Sequence, residues 1–255
     1  MAELKALIFD VDGTLAETER DGHRPAFNQA FADTGIAWDW TPELYGQLLE
    51  VSGGKERIRA YVQDYLSDFQ LPAGFADLDA LIKHLHATKT NYYKQYAADG
   101  KIPLRPGVER LLNEARSKGV RLAIATTTTP ANVQALLENT LGAESLSWFD
   151  VIAAGDMVPK KKPAPDIFEY ALDHLDLPAD NCLAFEDTNN GLRSATPTGL
   201  KTVVTVNEYT KDQDFSEATL VLSDLGTPET PFTVLSGAAG DATYFTVSLA
   251  RQLCA

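Results

Sequence analysis

The sequence predicts an α/β protein whose core is a Rossmann-like parallel sheet, with a small α-helical cap domain inserted after the first strand. Three observations support this fold class. A short, mostly apolar run over residues 4–9 ends abruptly at polar residues, as a strand buried on both faces of a parallel sheet does. Residues 17–98 show helical apolar spacing and no strand signal. Beyond residue 99, apolar runs alternate with helical stripes, which is typical of β–α–β crossovers.

The inserted segment predicts four helices. Each has apolar residues on one stripe, and proline or glycine marks several of the helix ends. The clearest start is Thr41 followed by Pro42, an N-cap residue before a proline at the first helical position. The expected helices cover residues 25–35, 42–51, 58–66 and 78–96.

Polar linkers at residues 17–24 and 103–107 flank these helices. We therefore expect two structural units: a discontinuous catalytic core of residues 1–16 and 99–255, and a cap of residues 17–98. Linkers of this kind let a cap open and close over the strand ends.

In the core, each strand is predicted from an apolar run of strand length, and each helix from apolar residues spaced three and four apart. Pro197 disfavours helix at Thr196. The expected strands cover residues 4–9, 120–125, 151–154, 182–185, 202–206 and 220–222. Helices are expected over residues 108–119, from residue 130, from residue 166 and within residues 242–253, with a loop at residues 237–240.

The composition narrows the class of protein. The chain has 255 residues with 44% hydrophobic residues, enough for a sizeable core. A formal net charge of −14 disfavours nucleic acid and anionic membranes as partners. Cys182 and Cys254 imply no disulfide framework. Without a signal-peptide pattern or a long apolar run, we expect the protein in the cytoplasm, or in the plastid stroma if a transit peptide has been removed. We also expect a monomer.

Two carboxylates, Asp10 and Asp12, directly follow the first predicted strand and precede Gly13 and Thr14. The period of two in a strand sends both side chains to the same side. Like charges this close to an apolar strand are costly unless a cation or a proton lies between them. Because open α/β sheets bind ligands at the carboxyl ends of their strands, the pair is a candidate metal site. The alternative, a solvated turn, is typical of an isolated D-x-D-G.

Three later positions could complete the same site. Thr126 ends a predicted strand, and its hydroxyl and nearby N–H groups are suited to phosphate oxygens. Lys162 stands before a proline at a helix start, whereas the two lysines before it are expected to be solvated. Glu186 and Asp187 end another apolar strand and add oxygen ligands that suit Mg²⁺. Taken singly, each position could also have no functional role; Thr126, for example, could simply belong to a threonine-rich turn.

In this order the motifs resemble those of the haloacid-dehalogenase-like phosphohydrolase superfamily, with F-D-V-D-G-T-L as the first motif. A helical cap after that motif is similar to β-phosphoglucomutase and phosphoglycolate phosphatase. The strings A-E-T-E-R-D-G-H-R, S-G-G-K-E-R-I and A-T-T-T-T resemble more closely the CbbY group. That group is associated with the Calvin–Benson cycle and includes xylulose-1,5-bisphosphate phosphatases.

This resemblance implies a Mg²⁺-dependent phosphatase that works through an aspartyl-phosphate. Asp10 would be the nucleophile, and Asp12 the general acid and base. Thr126 and Lys162 would stabilise the charge that develops on the phosphoryl oxygens. The metal would be held by the side chains of Asp10, Glu186 and Asp187, with Glu186 acting through the water shell, and by the backbone carbonyl of Asp12.

The cap is expected to bind the rest of a small sugar that carries two phosphates, most simply a pentulose 1,5-bisphosphate. Gly53 and Gly54 let the backbone approach a ligand at a helix start, where N–H groups favour an anion. Lys55 and Arg57 add positive charge, although they could instead be solvated helix residues in i,i+4 pairs. Further residues expected to contact substrate are Glu17, His23, Arg24 and Thr127.

Rival functions remain open from the sequence. A β-phosphoglucomutase-type enzyme would return the phosphoryl group to a sugar hydroxyl, and a phosphoglycolate-type phosphatase would take a smaller substrate. A dehalogenase would need no metal and leaves Asp12 without a role. A phospho-accepting signalling module also uses an acidic pocket, but it has no use for the helical insertion.

Overall fold

The computed structural model describes residues 3–255, and a seven-stranded sheet forms its centre. The strands lie in the order β3-β2-β1-β4-β5-β6-β7, and all neighbours are parallel except β6 and β7. Their bounds are β1 Ala6–Phe9, β2 Arg121–Thr126, β3 Val151–Ala154, β4 Cys182–Glu186, β5 Lys201–Thr205, β6 Leu220–Leu222 and β7 Val234–Gly237. The chain reverses its winding between β1 and β4, so the carboxyl ends of these two strands form the crevice where open α/β sheets bind ligands.

The helices of the described residues fall into two groups. The inserted group is α1 Arg24–Asp33, α2 Pro42–Leu48, α3 Gly54–Tyr65 and α4 Leu78–Ala98. The group that accompanies the sheet is α5 Val108–Ser117, α6 Pro130–Leu141, α7 Asp166–Leu175, α8 Asn189–Ala195 and α9 Val247–Cys254. The predicted α/β class, with helices inserted after the first strand, is confirmed.

The sheet is buried on both faces, which explains the continuous apolar run of the first strand. Leu7 and Phe9 belong to one hydrophobic cluster, while Ala6 and Ile8 belong to the cluster on the opposite face. None of the four is more than 1% exposed. The alternation follows from the period of two in a strand.

The inserted helices have a hydrophobic cluster of their own, built around aromatic side chains such as Phe27, Trp40 and Tyr45. The two linkers that join these helices to the sheet run side by side. The N–H of Glu17 donates to the carbonyl of Pro103 at 3.3 Å, and Ala16 pairs with Leu104 as an isolated bridge. The insertion therefore leaves and re-enters the core at one place.

Several local predictions were wrong. Part of the polar stretch at residues 17–24 is helical: a π-helix, Glu19–His23, leads directly into α1. It packs inward because Gly22 lies against Ile102 and Tyr93. The sequence prediction located only the end of α8, ahead of Pro197, and missed the antiparallel strand β7, whose last residue, Gly237, begins the expected loop.

Other end signals were confirmed. The Thr41 hydroxyl caps α2 by accepting from the N–H of Leu44 at 3.3 Å, although the helix ends at Leu48 rather than at residue 51. Ahead of Pro197, α8 ends at Ala195 and a short 3-10 turn follows. Across residues 3–255, every helix is either too short or too polar to cross a membrane.

Candidate active site

Three buried carboxylates meet at the crevice between β1 and β4. Asp10 follows β1, whereas Glu186 and Asp187 end and follow β4, and one ligand oxygen from each lies within 4.8 Å of the others. Lys162 is buried beside them and donates to Asp10 Oδ1 at 2.6 Å and Glu186 Oε1 at 2.5 Å. Asn207 Nδ2 donates to Asp187 Oδ2 at 2.8 Å. The parallel register of β1 and β4 brings these residues together.

The electrostatics of this cluster call for another cation. Burial raises the pKa of Asp10 to about 8, with the charge of Glu186 adding to the shift and Lys162 opposing it. Burial also raises the pKa of Asp187 well above its usual range. Burial alone would lower the pKa of Lys162, but Asp10 and Glu186 outweigh it and raise it. The Lys162 ammonium pairs with two of the three carboxylates, Asp10 and Glu186. An oxygen-only donor set of this kind fits Mg²⁺.

Two glycines make room for the clustered carboxylates Asp187 and Glu186. At Gly13, where φ is +80°, an added Cβ would lie 2.2 Å from Asp187 Oδ2. At Gly191, in the first turn of α8, an added Cβ would lie 1.9 Å from Glu186 Oε2. Any larger residue at either position would push a carboxylate out of place. Gly13 stood out in the sequence, but Gly191 did not.

The side chain of Asp12 is turned away from the three carboxylates and toward the inserted helices. Its Oδ1 accepts from the Thr18 hydroxyl at 2.6 Å and lies 2.9 Å from His23 Nε2. The His23 ring stacks on Tyr93 with 4.4 Å between the ring centroids. Burial would raise the pKa of Asp12, but His23 and Thr18 outweigh it and hold the pKa well below its usual range. Asp12 is therefore ionised in this arrangement.

A narrow cavity separates the inserted helices from the sheet. Its volume is about 40 Å³, and its lining includes Asp12, His23, Gly53, Gly54, Lys55, Arg57 and Thr127 from the predicted site. Thr126 is buried at the end of β2, where its hydroxyl accepts from the N–H of Thr128 at 3.2 Å. The structure thus gathers most of the predicted residues in or beside one cleft.

The basic residues predicted in α3 have partners on other elements. Arg57 is buried; its Nε donates to the Leu48 carbonyl at 3.1 Å, and its Nη1 lies 3.8 Å from the Glu19 carboxylate. Lys55 donates across the cleft to Asp156, which follows β3, at 2.7 Å. Neither residue pairs within its own helix, so the alternative of simple helix pairs is wrong.

One of the lysines expected to be solvated also lines the cavity. Lys161 is paired with Glu56 of α3 at 2.9 Å and with Asp156 at 3.1 Å. Hydrogen bonds from Lys55 and Lys161 lower the pKa of Asp156 to about 2. These ion pairs connect Lys55 and Glu56 of α3 to Asp156 and Lys161 in the segment between β3 and α7. They close the cavity where α3 faces that segment.

Two predicted substrate residues, Glu17 and Arg24, lie outside the cavity. Glu17 lies 3.2 Å from Arg105 Nε, and Arg24 donates to the Trp40 carbonyl at 3.5 Å. The reason is the unexpected π-helix, which directs Glu19 and His23 toward the cavity in place of their neighbours. Glu19 takes the position that was expected for Glu17.

The cavity also contains residues that the sequence reading missed, above all Lys89 of α4. Lys89 is buried, its ammonium lies 5.0 Å from the Phe27 ring centroid, and burial lowers its pKa to about 8. The signal was present, because Lys89 continues the apolar stripe of α4 four residues after Leu85. Three further lining residues that were missed are His86, Thr128 and Asn132.

The fold and this site define a hydrolase, and comparison with known proteins agrees. Residues 4–197 match the family described as haloacid dehalogenase-like hydrolase. The chain belongs to this family and, within it, to the CbbY proteins, as its sequence suggested. It is an enzyme of the phosphatase type.

The similarity to CbbY proteins extends over nearly the whole chain. The chain is 49% identical to CbbY of Rhodobacter capsulatus over 89% of its own length and 96% of that protein. The structure of CbbY from Rhodobacter sphaeroides in complex with phosphate has a TM-score of 0.80 and 44% identity, covering 87% of this chain and 94% of that one. A mutant of the same protein was solved with xylulose 1,5-bisphosphate, with the same scores. A putative β-phosphoglucomutase from Thermotoga maritima, at 24% identity and a TM-score of 0.63, shares the fold.

Proposed function

We propose that this chain is a Mg²⁺-dependent phosphatase of small sugar bisphosphates, with xylulose 1,5-bisphosphate as its substrate. The observation that carries the proposal is a cluster of carboxylates beside a cavity lined by cations, with Asp12 lining the cavity and lying close to Asp10. The core end holds the carboxylates of Asp10, Glu186 and Asp187 with Lys162. The cap end holds the cationic side chains of Lys55, Arg57 and Lys89, and Lys161 of the core lines the same cavity.

The cationic end is what a second phosphate requires. The carboxylate end accounts for one phosphate, the one that is cleaved. The chain as a whole is strongly acidic, whereas four cations line this cavity beside the carboxylates of Asp12, Glu19 and Asp156. When the pairs across the cleft separate, these cations favour an anionic group. The sugar bisphosphate bound to the Rhodobacter sphaeroides protein, which is 44% identical, supports the same substrate class.

In the proposed reaction, Asp10 attacks the phosphorus in line and an aspartyl-phosphate forms as the sugar oxygen leaves. Asp10 and Asp187, with Glu186 acting through the water shell, would hold Mg²⁺, which would supply positive charge to offset the repulsion between Asp10 and the phosphate dianion. Lys162 and Thr126 stabilise charge on the equatorial oxygens. The Asp12 backbone carbonyl remains a proposed metal ligand.

Asp12 then acts both as a general acid and as a general base, and its contacts favour the base. Its ionised form suits the base that takes a proton from the hydrolytic water. Its earlier task, protonating the leaving oxygen, needs the hydrogen bonds from His23 and Thr18 to loosen as substrate enters. Both partners belong to the inserted segment, so the protonation state of Asp12 would follow the position of the cap.

We further propose that residues 17–98 move as a cap on the core formed by residues 1–16 and 99–255. A cavity of about 40 Å³ is far smaller than the 300–1,000 Å³ typical of ligand pockets. Substrate would therefore enter only when the pairs that Lys55 and Lys161 form across the cleft separate.

The test compares kcat/KM for xylulose 1,5-bisphosphate, ribulose 1,5-bisphosphate and a pentose monophosphate in wild type, Arg57→Ala and Arg59→Ala. A charge-assisted contact to the second phosphate is worth about 1.5–3 kcal/mol, so Arg57→Ala should lower kcat/KM for the bisphosphates by roughly 10–150-fold. Arg59, on the same helix, is paired with Asp79 and lies outside the cavity, so its variant should match wild type.

Equal turnover of monophosphate and bisphosphates, or an equal loss on both in Arg57→Ala, would contradict the proposed second-phosphate site. Conversion of β-glucose 1-phosphate to the 6-phosphate would indicate a mutase instead.

A further inference from the structure

We propose that Arg105 is a positioning residue, which holds the metal-binding carboxylate of Asp187 in place and ties it to the linkers of the cap. This inference rests on the proposed function, because it concerns the Mg²⁺ site of that reaction. Arg105 lies in the second linker, one residue after the bridge between Ala16 and Leu104. Its side chain is 5% exposed although it carries a full charge.

Both terminal nitrogens of the Arg105 guanidinium donate to backbone carbonyls. Nη1 donates to the carbonyls of Gly13 and Thr205, the latter at 2.9 Å. Nη2 donates to the carbonyls of Val206 at 2.5 Å and Ser223 at 2.8 Å. These four acceptors belong to three separate segments: the turn after β1, the end of β5 and the loop after β6. One planar fork therefore fixes three segments against one another.

Two of these segments are the walls around Asp187. Gly13 lies so close that an added Cβ would be 2.2 Å from Asp187 Oδ2. Val206 directly precedes Asn207, whose amide donates to the same oxygen at 2.8 Å. A shift of either carbonyl would move a group that orients Asp187, so Arg105 acts on the metal site through its neighbours and not by direct contact.

The same residue fixes the linkers. The N–H of Arg105 donates to the Leu15 carbonyl at 2.9 Å, and its Nε lies 3.2 Å from the Glu17 carboxylate in the first linker. Glu17, expected from the sequence to contact substrate, is thus a partner of Arg105. The Arg105 side chain therefore contacts both the first linker and the segments that surround Asp187.

A lysine cannot replace this arrangement. Its ammonium is a single point charge, whereas the guanidinium presents donors in a fixed planar fork. Arg105→Lys retains the positive charge but cannot hold carbonyls of three segments at once. Arg110→Lys is the matched control, because Arg110 also donates to a backbone carbonyl, that of Phe245, and its carboxylate partner is Glu114, which is outside the cluster of Asp10, Glu186 and Asp187.

The experiment measures Mg²⁺ binding by calorimetry without substrate, together with Tm, kcat and KM for xylulose 1,5-bisphosphate. Arg105→Lys should weaken Mg²⁺ binding and lower kcat by at least tenfold, with KM changed less than threefold. Arg110→Lys should shift Tm without changing Mg²⁺ affinity. Asn207→Ala should weaken Mg²⁺ binding in the same way, and the double variant should lose less than the two single losses combined.

Wild-type Mg²⁺ affinity in folded Arg105→Lys, or additive losses in the double variant, would overturn the proposal. If Arg105→Lys does not fold, Arg105→Ala prepared with guanidinium chloride at low concentration provides the test. Guanidinium should restore Mg²⁺ binding there, and a folded variant whose affinity is not restored would contradict the inference. Failure of the proposed function is a separate result, since the wild type itself would then not hydrolyse sugar bisphosphates.

Discussion

Replacement of Gly191 by alanine should damage the active site while leaving the helix that carries it intact. The added Cβ would lie 1.9 Å from Glu186 Oε2, whereas ordinary contacts begin near 3.4 Å. The carboxylate must therefore move by about 1.5 Å. Alanine at this position causes no backbone strain, because Gly191 lies in α8 outside the left-handed region. In helices, alanine is favoured over glycine by about 1 kcal/mol.

A displacement of this size is enough to disable Glu186. Its hydrogen bond from Lys162 is 2.5 Å long and would break, and its oxygen would leave the cluster shared with Asp10 and Asp187. A misplacement of about 1 Å in a catalytic arrangement can cost about 100-fold in rate, equivalent to about 2.7 kcal/mol. We expect kcat/KM to fall by at least that factor and the Mg²⁺ requirement to rise.

The assay is steady-state hydrolysis of xylulose 1,5-bisphosphate over a range of Mg²⁺ concentrations, with Tm measured alongside. Gly46→Ala is the control, since Gly46 lies in α2 and an added Cβ there meets only the ring of Tyr209, at 3.3 Å. That variant should retain activity within about threefold of wild type. If Gly191→Ala were as active as wild type, the position of the Glu186 carboxylate against α8 would not matter for catalysis.

Three further predictions follow from the site. Asp10→Asn should lower kcat by more than tenfold, a barrier change above ~1.4 kcal/mol, with an unchanged circular dichroism spectrum; greater residual activity would refute Asp10 as nucleophile. Exhaustive chelation should abolish activity and added Mg²⁺ should restore it, whereas full activity after chelation would favour metal-free dehalogenase chemistry. Because Lys89 is protonated only below its lowered pKa of about 8, kcat/KM at saturating Mg²⁺ should fall as pH rises through that value. The pH profile of Lys89→Met should lack this fall in kcat/KM. His86 stays neutral throughout, because burial lowers its pKa to about 3. An unchanged profile in Lys89→Met would exclude Lys89 as the titrating group.

The core end of the site could be predicted because its signals are local. Asp10 and Glu186 each end an apolar strand, and parallel strands place their carboxyl ends at one edge of the sheet. Strand order is a matter of tertiary packing and has no sequence signal, so the adjacency of β1 and β4 could not be derived from the residues alone.

The cap end was predicted less well because it depends on helix rotation. Whether Glu17 or Glu19 faces the cleft is decided by a π-helix that begins within a polar segment. Lys89 was overlooked because a single lysine in an apolar stripe is easily assigned to the surface. The missed strand β7 is exposed at all four residues, so it lacks the alternation on which strand prediction depends.

The pairing of the two linkers has a consequence for how this architecture can change. Leu15 and Arg105 are joined by a backbone hydrogen bond of 2.9 Å, so the ends of the insertion are already held together by the core. The inserted helices therefore form a single loop between two fixed points of the core. Doubling the length of a flexible loop raises the free-energy cost of closing it by only about 0.6 kcal/mol. A different insertion, larger or smaller, could be exchanged at this point in evolution or by engineering without disturbing the strands that carry the carboxylates.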